Sequence, residues 1–167
     1  MKTKQVVLCG LLTALMLVLG YVESLLPLPG GMPGMKLGLA NSVLIYAVYM
    51  LSLPAAWLLM VLKVGLSALL FANPSAILFS LGGGVLSMAG MSLLRRVPGL
   101  RPMTVSAVGG MLHNAGQVLV AMLVLHTPGL LGYMAILMGV GLGTGLVTGL
   151  AAQLTMAHLK KAKFTGR

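Results

Sequence analysis

Three polar side chains occur close together in an otherwise apolar stretch of the sequence: His113, Asn114 and Gln117. His113 and Gln117 are four residues apart, a spacing that places two side chains on one face of an α-helix. Such groups in an apolar helix either hydrogen-bond to a neighbouring helix or line a polar pocket, and three of them together favour the pocket. A metal site is not predicted, because His126 and His158 lie near opposite ends of their segments.

Two ionisable side chains also lie in apolar segments. Glu23 is the single acidic residue of the chain. Lys63 lies near the middle of its segment, where a charge costs about 2.5–3.5 kcal/mol on insertion scales. Lys63 is therefore predicted to line a polar cavity or contact an anionic ligand, or to form a buried pair with Glu23. Glu23 is predicted to bind a cation or a proton, or to pair with Lys36 across the first loop.

The scarcity of carboxylates excludes several enzymatic chemistries. Hydrolysis by paired carboxylates and Mg²⁺–diphosphate chemistry with several Asp ligands both need side chains that this chain lacks. Walker A and GxGxxG glycine loops in their strand-to-helix setting are not found. The single cysteine, Cys9, excludes an internal disulfide. We therefore predict no catalytic residues, no cofactor and no metal, and expect a protein that is not an enzyme.

Membrane helices are the elements that must position these polar groups. Of the 167 residues, 59% are hydrophobic and 7% are charged, whereas soluble domains carry about 25% charged residues. A spanning helix needs about 17–25 mostly apolar residues. Six segments qualify, at about 5–26, 37–53, 54–72, 74–94, 103–125 and 129–157. The predicted fold is an all-α integral membrane protein, a single domain over residues 1–167 with six transmembrane helices.

The distribution of cations predicts the orientation of this bundle. The chain has 11 Lys and Arg residues and a net charge of +10. Six spans place both termini on one side together with nine of these cations, while Lys36 lies opposite and Lys63 lies mid-span. The positive-inside rule assigns the nine to the cytoplasm. Because the cations are sparse between apolar runs, we expect membrane lipid and no nucleic acid as a partner, in the bacterial cytoplasmic membrane.

Small residues and a stiff loop mark three further features. The loop at 27–34, rich in Pro and Gly, is predicted to be a simple turn or a lid over an outward-facing pocket, with Lys36 and Asn41 following it. In the first span, Gly10 and Ala14 form a small-xxx-small face near the cytoplasmic end. In the last span, helix packing is indicated by glycines at four-residue spacing: Gly139, Gly141, Gly143, Gly145 and Gly149.

Five short motifs, in order along nearly the whole chain, resemble the Gx transporter family, which is also labelled heptaprenyl diphosphate synthase component I. The motifs are Tyr21–Ser24, Met35–Asn41, Phe71–Pro74, Ser80–Gly84 and His113–Gln117. The resemblance implies a fold similar to the substrate-binding S components of energy-coupling factor (ECF) transporters. These are six-helix bundles with a ligand pocket on the outer side, and a small-residue face on their first helix docks onto a transmembrane coupling subunit.

Motifs and resemblance together define the candidate residues. Docking is assigned to Gly10 and Ala14. Binding of a small-molecule ligand is assigned to Glu23, Lys36, Asn41, Lys63, Asn73, His113, Asn114 and Gln117.

Three functions follow as hypotheses. The first is an S-component type of substrate capture, with a coupling subunit and ATPases supplied in trans because the chain has no nucleotide site. The second is a non-catalytic membrane subunit associated with prenyl-quinone synthesis or flavin-based extracellular electron transfer. The third is a proton-coupled carrier that uses Glu23 or His113. The catalytic synthase itself is excluded, because prenyl diphosphate synthases hold Mg²⁺ through Asp-rich motifs and this chain has no Asp.

Overall fold

Six α-helices form the computed structural model, which describes residues 3–25, 38–71 and 74–165. The prediction of an all-α bundle is confirmed. The helices are α1 (Thr3–Ser24), α2 (Asn41–Met50), α3 (Leu53–Phe71), α4 (Pro74–Leu94), α5 (Pro102–Leu125) and α6 (Leu130–Thr165).

Five of the helices, all except α2, are long and apolar enough to cross a membrane. An 18-residue helix is about 27 Å long, close to the roughly 30 Å thickness of the hydrocarbon core. Large apolar side chains cover the outside of the bundle; Leu69 is 81% exposed and Leu123 is 74% exposed. In water such a surface would be unfavourable, whereas in lipid it is the expected one. The chain is therefore a multi-pass membrane protein.

The second helix is shorter than the apolar run 37–53 predicted. At ten residues, α2 is about 15 Å long, half the thickness of the hydrocarbon core. Before it, Gly38 has φ +90°, a left-handed conformation that glycine adopts at little cost. After it, the backbone of Leu51 is not helical, with φ −106° and ψ −126°, and α2 ends. Hydropathy does not register these backbone breaks, so it overestimated the length of the helix.

The last helix is longer than predicted. It ends at Thr165, whereas the apolar segment ends near residue 157. The sequence that follows contains Lys and Ala, which favour the helix as strongly in water as apolar residues do. Hydropathy therefore did not locate the end of the helix.

The short α2 lies at the centre of the bundle and contacts each of the other five helices. Five of its apolar residues, among them Leu44, Ile45 and Val48, are buried in the main hydrophobic core with Met16 of α1 and Met60 of α3. Because α2 is surrounded by other helices, a polar group at its first residue lies inside the protein and not against lipid.

Glycines allow α5 and α6 to pack closely. A Cβ atom on Gly145 would lie 2.6 Å from the carbonyl oxygen of Ser106, and one on Gly149 would lie 2.8 Å from the Cα of Met103. A Cβ on Gly143, in contrast, would meet nothing within 4 Å. Of the glycines predicted to pack, Gly141, Gly145 and Gly149 therefore face α5, whereas Gly139 and Gly143 face open space.

One end of the bundle collects most of the described cations. Leu8 of α1 and Leu159 of α6 line the same groove, so the start of α1 and the end of α6 lie at the same end. At this end of α2, the guanidinium carbon of Arg95 lies 5.9 Å from the centre of the Tyr49 ring, within range of a cation–π interaction. The structure thus brings Lys4, Arg95 and Lys160 to one end, as the predicted orientation requires.

Candidate functional site

Buried polar side chains from α1, α2 and α5 lie around Gly38 and Gly83 inside the bundle, and Lys63 of α3 is buried as well. Along their helices, Lys63 and His113 lie about 15 Å from the cation-rich end, and Asn41 begins the half-length α2. This depth is near the middle of the roughly 30 Å hydrocarbon core. We call the group formed by Glu23, Asn41, Lys63, His113 and Gln117 the polar centre. Each of its side chains is at most 4% exposed.

Glu23 lies at the beginning of α2. Its carboxylate oxygen Oε1 accepts a hydrogen bond from the backbone N–H of Gly38, three residues before the helix starts. The Gly38 carbonyl in turn accepts a 2.8 Å hydrogen bond from the N–H of Asn41. A negative charge at this position is favoured by the positive end of the α2 dipole. The pairing of Glu23 with Lys63 stays a prediction.

The side-chain amide of Asn41 is part of the polar centre. The residue is 4% exposed, and neither its Nδ2 nor its Oδ1 has a hydrogen-bond partner among the residues that the structure describes. A Cβ on Gly38 would lie 2.8 Å from Asn41 Nδ2 and 3.7 Å from His113 Cδ2. The Asn41 amide and the His113 ring therefore meet beside Gly38. An amide offers both a donor and an acceptor at one place.

His113 and Gln117 lie side by side against α4, as their spacing predicted. A Cβ on Gly83 would lie 3.0 Å from His113 Nδ1 and 2.9 Å from Gln117 Cγ. Only a residue without a side chain fits here, so Gly83 permits the His113 and Gln117 side chains to lie between α5 and α4. Both side chains have at least one interaction within the protein.

Lys63 lies on the inward face of α3. It is 3% exposed and lies in the helix between Met60, which is fully buried, and Ser67, which is also buried. Lys63 has at least one interaction within the protein, and so does Glu23. A buried amine at this depth supplies a hydrogen-bond donor and a charge to the interior of the bundle.

Asn114 lies on a different side of α5 from His113. Its Nδ2 donates a 2.6 Å hydrogen bond to the carbonyl oxygen of Leu137 in α6. A Cβ on Gly141 would lie 2.8 Å from this same Nδ2. Asn114 therefore joins α5 to α6, and the structure does not bring it together with the polar centre.

Two predicted binding residues, Lys36 and Asn73, lie outside the described residues, as does the loop 27–34. The predicted pairing of Glu23 with Lys36 therefore involves a residue outside the described part of the chain.

The predicted docking residues, Gly10 and Ala14, are both exposed on α1. A Cβ on Gly10 would meet nothing within 4 Å among the described residues. Cys9, Thr13 and Met16 face the bundle instead. The small-residue face of α1 is thus accessible to another membrane protein.

The polar centre has the chemistry of a binding site. It combines a carboxylate, an amine, an imidazole and two amides, which together accept and donate hydrogen bonds. Within the described part of the chain, no three His, Cys, Asp or Glu side chains are close enough to hold a metal ion. Sequence reasoning missed two contributors, Gly38 and Gly83. Both lie in motifs that carried the family resemblance, but only the backbone reveals why glycine is needed there.

The fold and the polar centre define a multi-pass helical membrane protein with buried hydrogen-bonding groups at mid-depth. The family model described as heptaprenyl diphosphate synthase component I matches residues 12–155, and the chain belongs to this family. The predicted membership is thereby confirmed, whereas the likeness to ECF S components stays a prediction. No curated protein and no solved structure matches the chain significantly.

Proposed function

We propose that this protein is the substrate-binding membrane component of a small-molecule uptake transporter, with its ligand bound at the polar centre. The observation that carries the proposal is the Asn41 amide, which is 4% exposed and has no hydrogen-bond partner among the described residues. A buried amide without partners costs about 1–3 kcal/mol. A ligand that bonds to it would recover this free energy.

The composition of the polar centre limits the class of ligand. The group contains a carboxylate, an amine, two amides and an imidazole, so it favours a molecule with several hydrogen-bonding atoms. Lys63 favours a ligand that is anionic or has an acceptor near the amine. The bilayer core around the site excludes water, which strengthens each of these interactions.

The proposed role is non-catalytic and needs other subunits. The chain contains one acidic residue in total and no nucleotide-binding motif, so neither ATP hydrolysis nor prenyl diphosphate synthesis has the side chains it needs. Uptake would be driven by ATPases through a coupling subunit in trans. This subunit would dock onto Gly10 and Ala14, which are exposed on α1. The proposed location is the bacterial cytoplasmic membrane.

Copurification tests the role. The protein is purified from its native membrane in mild detergent, and retained proteins and small molecules are identified by mass spectrometry. We expect ATPase subunits and a bound small molecule. Ala14→Trp should release the ATPase subunits, because a large ring cannot fit a small-residue interface. Ala135→Trp, on an exposed alanine of α6, is the matched control and should retain them.

The ligand site is tested separately. Lys63→Leu should reduce the retained small molecule at least tenfold without lowering the yield of folded protein. Thr148→Val is the control, because Thr148 is a buried polar residue whose hydroxyl lies 3.4 Å from Ser106 and outside the polar centre. If Lys63→Leu only unfolds the protein, Lys63 has a structural role and the assignment of a ligand to it is wrong.

A second function is favoured by the family membership. The description component I implies a further component of a synthase complex, so the chain could serve as a non-catalytic membrane subunit for prenyl-quinone synthesis. Stable copurification of a prenyl diphosphate synthase subunit, with no retained small molecule, would support this function and contradict uptake.

A further inference from the structure

A second site lies apart from the polar centre, in a groove between α1 and α6. The groove has a volume of about 300 Å³, and α2 forms its floor. Its walls are almost entirely apolar and include Leu8 and Leu12 of α1, Val43 and Tyr46 of α2, and Leu159 of α6. An apolar groove of this size inside a membrane protein favours an apolar ligand, since water would find few hydrogen-bond partners there.

The groove opens sideways into the bilayer. Among the described residues, no Cα atom of α1 lies within 8 Å of a Cα atom of α6. The two helices thus flank the groove without closing it. The occupant can therefore enter from the lipid phase, without passing through water.

The length of the groove matches one leaflet. Along α1 it extends from Leu8 to Leu19, about 16 Å at 1.5 Å per residue. This is half of the roughly 30 Å hydrocarbon core. It begins near the cation-rich end and stops at Ser42, the neighbour of Asn41 at the start of α2. An acyl chain of one leaflet fits this length, whereas a polyprenyl chain of many units would exceed it.

Two lysines lie near the end of the groove that is at the cation-rich end of the bundle. Lys4 is one helical turn before Leu8 and thus on the same face of α1. Lys160 lies at the same end of α6 as the groove residue Leu159 but is rotated by about 100° around the helix from it, and both lysines are exposed. The one acidic residue of the chain, Glu23, is at the opposite end of α1. The charges here complement a phosphate group at the membrane surface.

We propose that this groove binds an anionic phospholipid of the leaflet on the cation-rich side, with one acyl chain between α1 and α6 and its phosphate near Lys4 and Lys160. The second acyl chain would remain in the bilayer. The site is independent of the ligand bound at the polar centre.

Native mass spectrometry of the purified protein tests the site. Phosphatidylglycerol and phosphatidylcholine with identical acyl chains are added in detergent at equal concentrations. We expect one phosphatidylglycerol per protein, bound at least fivefold more tightly than phosphatidylcholine. No retained lipid, or equal binding of both lipids, would overturn the proposal. A third arm adds heptaprenyl diphosphate. If this molecule displaces phosphatidylglycerol at equal concentration, the occupant is a polyprenyl chain and the proposal is wrong.

Variants locate the binding. Ala151→Trp fills the groove from an exposed position on its wall and should reduce bound phosphatidylglycerol at least tenfold. Ala157→Trp is the matched control, since Ala157 is an exposed alanine of α6 outside the groove, and it should leave binding unchanged. Ala151→Met is a milder second filling variant, and helicity by circular dichroism verifies that each variant is folded. Equal loss in Ala151→Trp and Ala157→Trp would contradict the location.

Headgroup recognition is tested by charge. Lys4→Gln with Lys160→Gln should weaken binding of phosphatidylglycerol about 30-fold, because each lysine near a membrane surface contributes about 1 kcal/mol and about 1.4 kcal/mol is a factor of ten. Arg96→Gln with Arg101→Gln removes the same charge from an exposed connection between α4 and α5 and should have little effect. An equal effect of both pairs would show a general surface charge and overturn the assignment to the two lysines.

Discussion

The carboxylate of Glu23, near the end of α1, accepts a hydrogen bond from the backbone N–H of Gly38, just before α2 begins. This contact joins two helices at the depth where α2 starts. It serves a backbone N–H that lies inside a membrane protein, where an unsatisfied group costs several kcal/mol. The single acid of the chain therefore has a structural partner as well as a place in the polar centre.

Glu23→Ala is expected to destabilise the protein by about 1–3 kcal/mol, because it leaves the Gly38 N–H buried without its acceptor. Glu23→Gln keeps a carbonyl oxygen at the same position and should cost less than half as much. The free energy of unfolding can be measured by denaturant titration in detergent micelles. Equal losses in the two variants would mean that the charge, and not the hydrogen bond, is what stabilises α2.

Asn41→Leu is expected to leave the ligand-free protein as stable as before or up to about 2 kcal/mol more stable, because it removes a buried amide that has no partner among the described residues. The same variant should lose the small molecule retained on purification. Thermal unfolding with and without the retained molecule separates the two effects. A marked loss of stability in the ligand-free protein would indicate that the amide bonds within the chain.

Asn114→Leu is expected to lower the stability of the protein without affecting ligand retention, which is the opposite of the effect expected for Asn41→Leu. Loss of the hydrogen bond to the Leu137 carbonyl should cost about 0.6–1.7 kcal/mol, the range for hydrogen bonds between membrane helices. Retention of the small molecule should be unchanged. Thr155→Val is a suitable control, because the exposed Thr155 hydroxyl donates a hydrogen bond within its own helix, to the Ala151 carbonyl oxygen. Loss of the small molecule in Asn114→Leu would extend the site to the α5–α6 interface.

Glycine substitutions in α6 should differ by position. Gly145→Ala is expected to cost about 1–3 kcal/mol, since its Cβ would lie 2.6 Å from the Ser106 carbonyl oxygen and the backbones must separate. Gly143→Ala meets nothing within 4 Å and should stabilise the helix by up to about 1 kcal/mol, because alanine favours the helix over glycine. Thermal unfolding of the two variants makes the comparison. Similar effects would contradict the close packing of α5 on α6.

Composition and periodicity were sufficient to predict the all-α bundle and its five long helices, because lipid admits few backbone arrangements other than helices. They failed at α2. An apolar run of 17 residues predicts a span, but the positive φ of Gly38 and the non-helical Leu51 limit the helix to Asn41–Met50. These dihedral angles depend on tertiary contacts, which hydropathy does not contain.

In the candidate site, too, the sequence predicted relations within a helix but not contacts between helices. The i, i+4 spacing of His113 and Gln117 correctly placed both against one neighbour, since that relation is local to a helix. Asn114 follows His113 directly in sequence, yet it bonds to α6 while His113 faces Gly83 and Gly38. A rotation of 100° per residue separates them, and sequence alone does not say which helix lies in each direction.

The sequence by itself determined the class of the protein. A chain with too few charged residues to cover a water-exposed surface requires lipid around it. Only the tertiary structure decided that a half-length helix lies at the centre of the bundle, with Glu23 and Asn41 at its beginning. The reason is physical: composition reflects the solvent around a chain, whereas the position of a buried polar group depends on which helices pack around it.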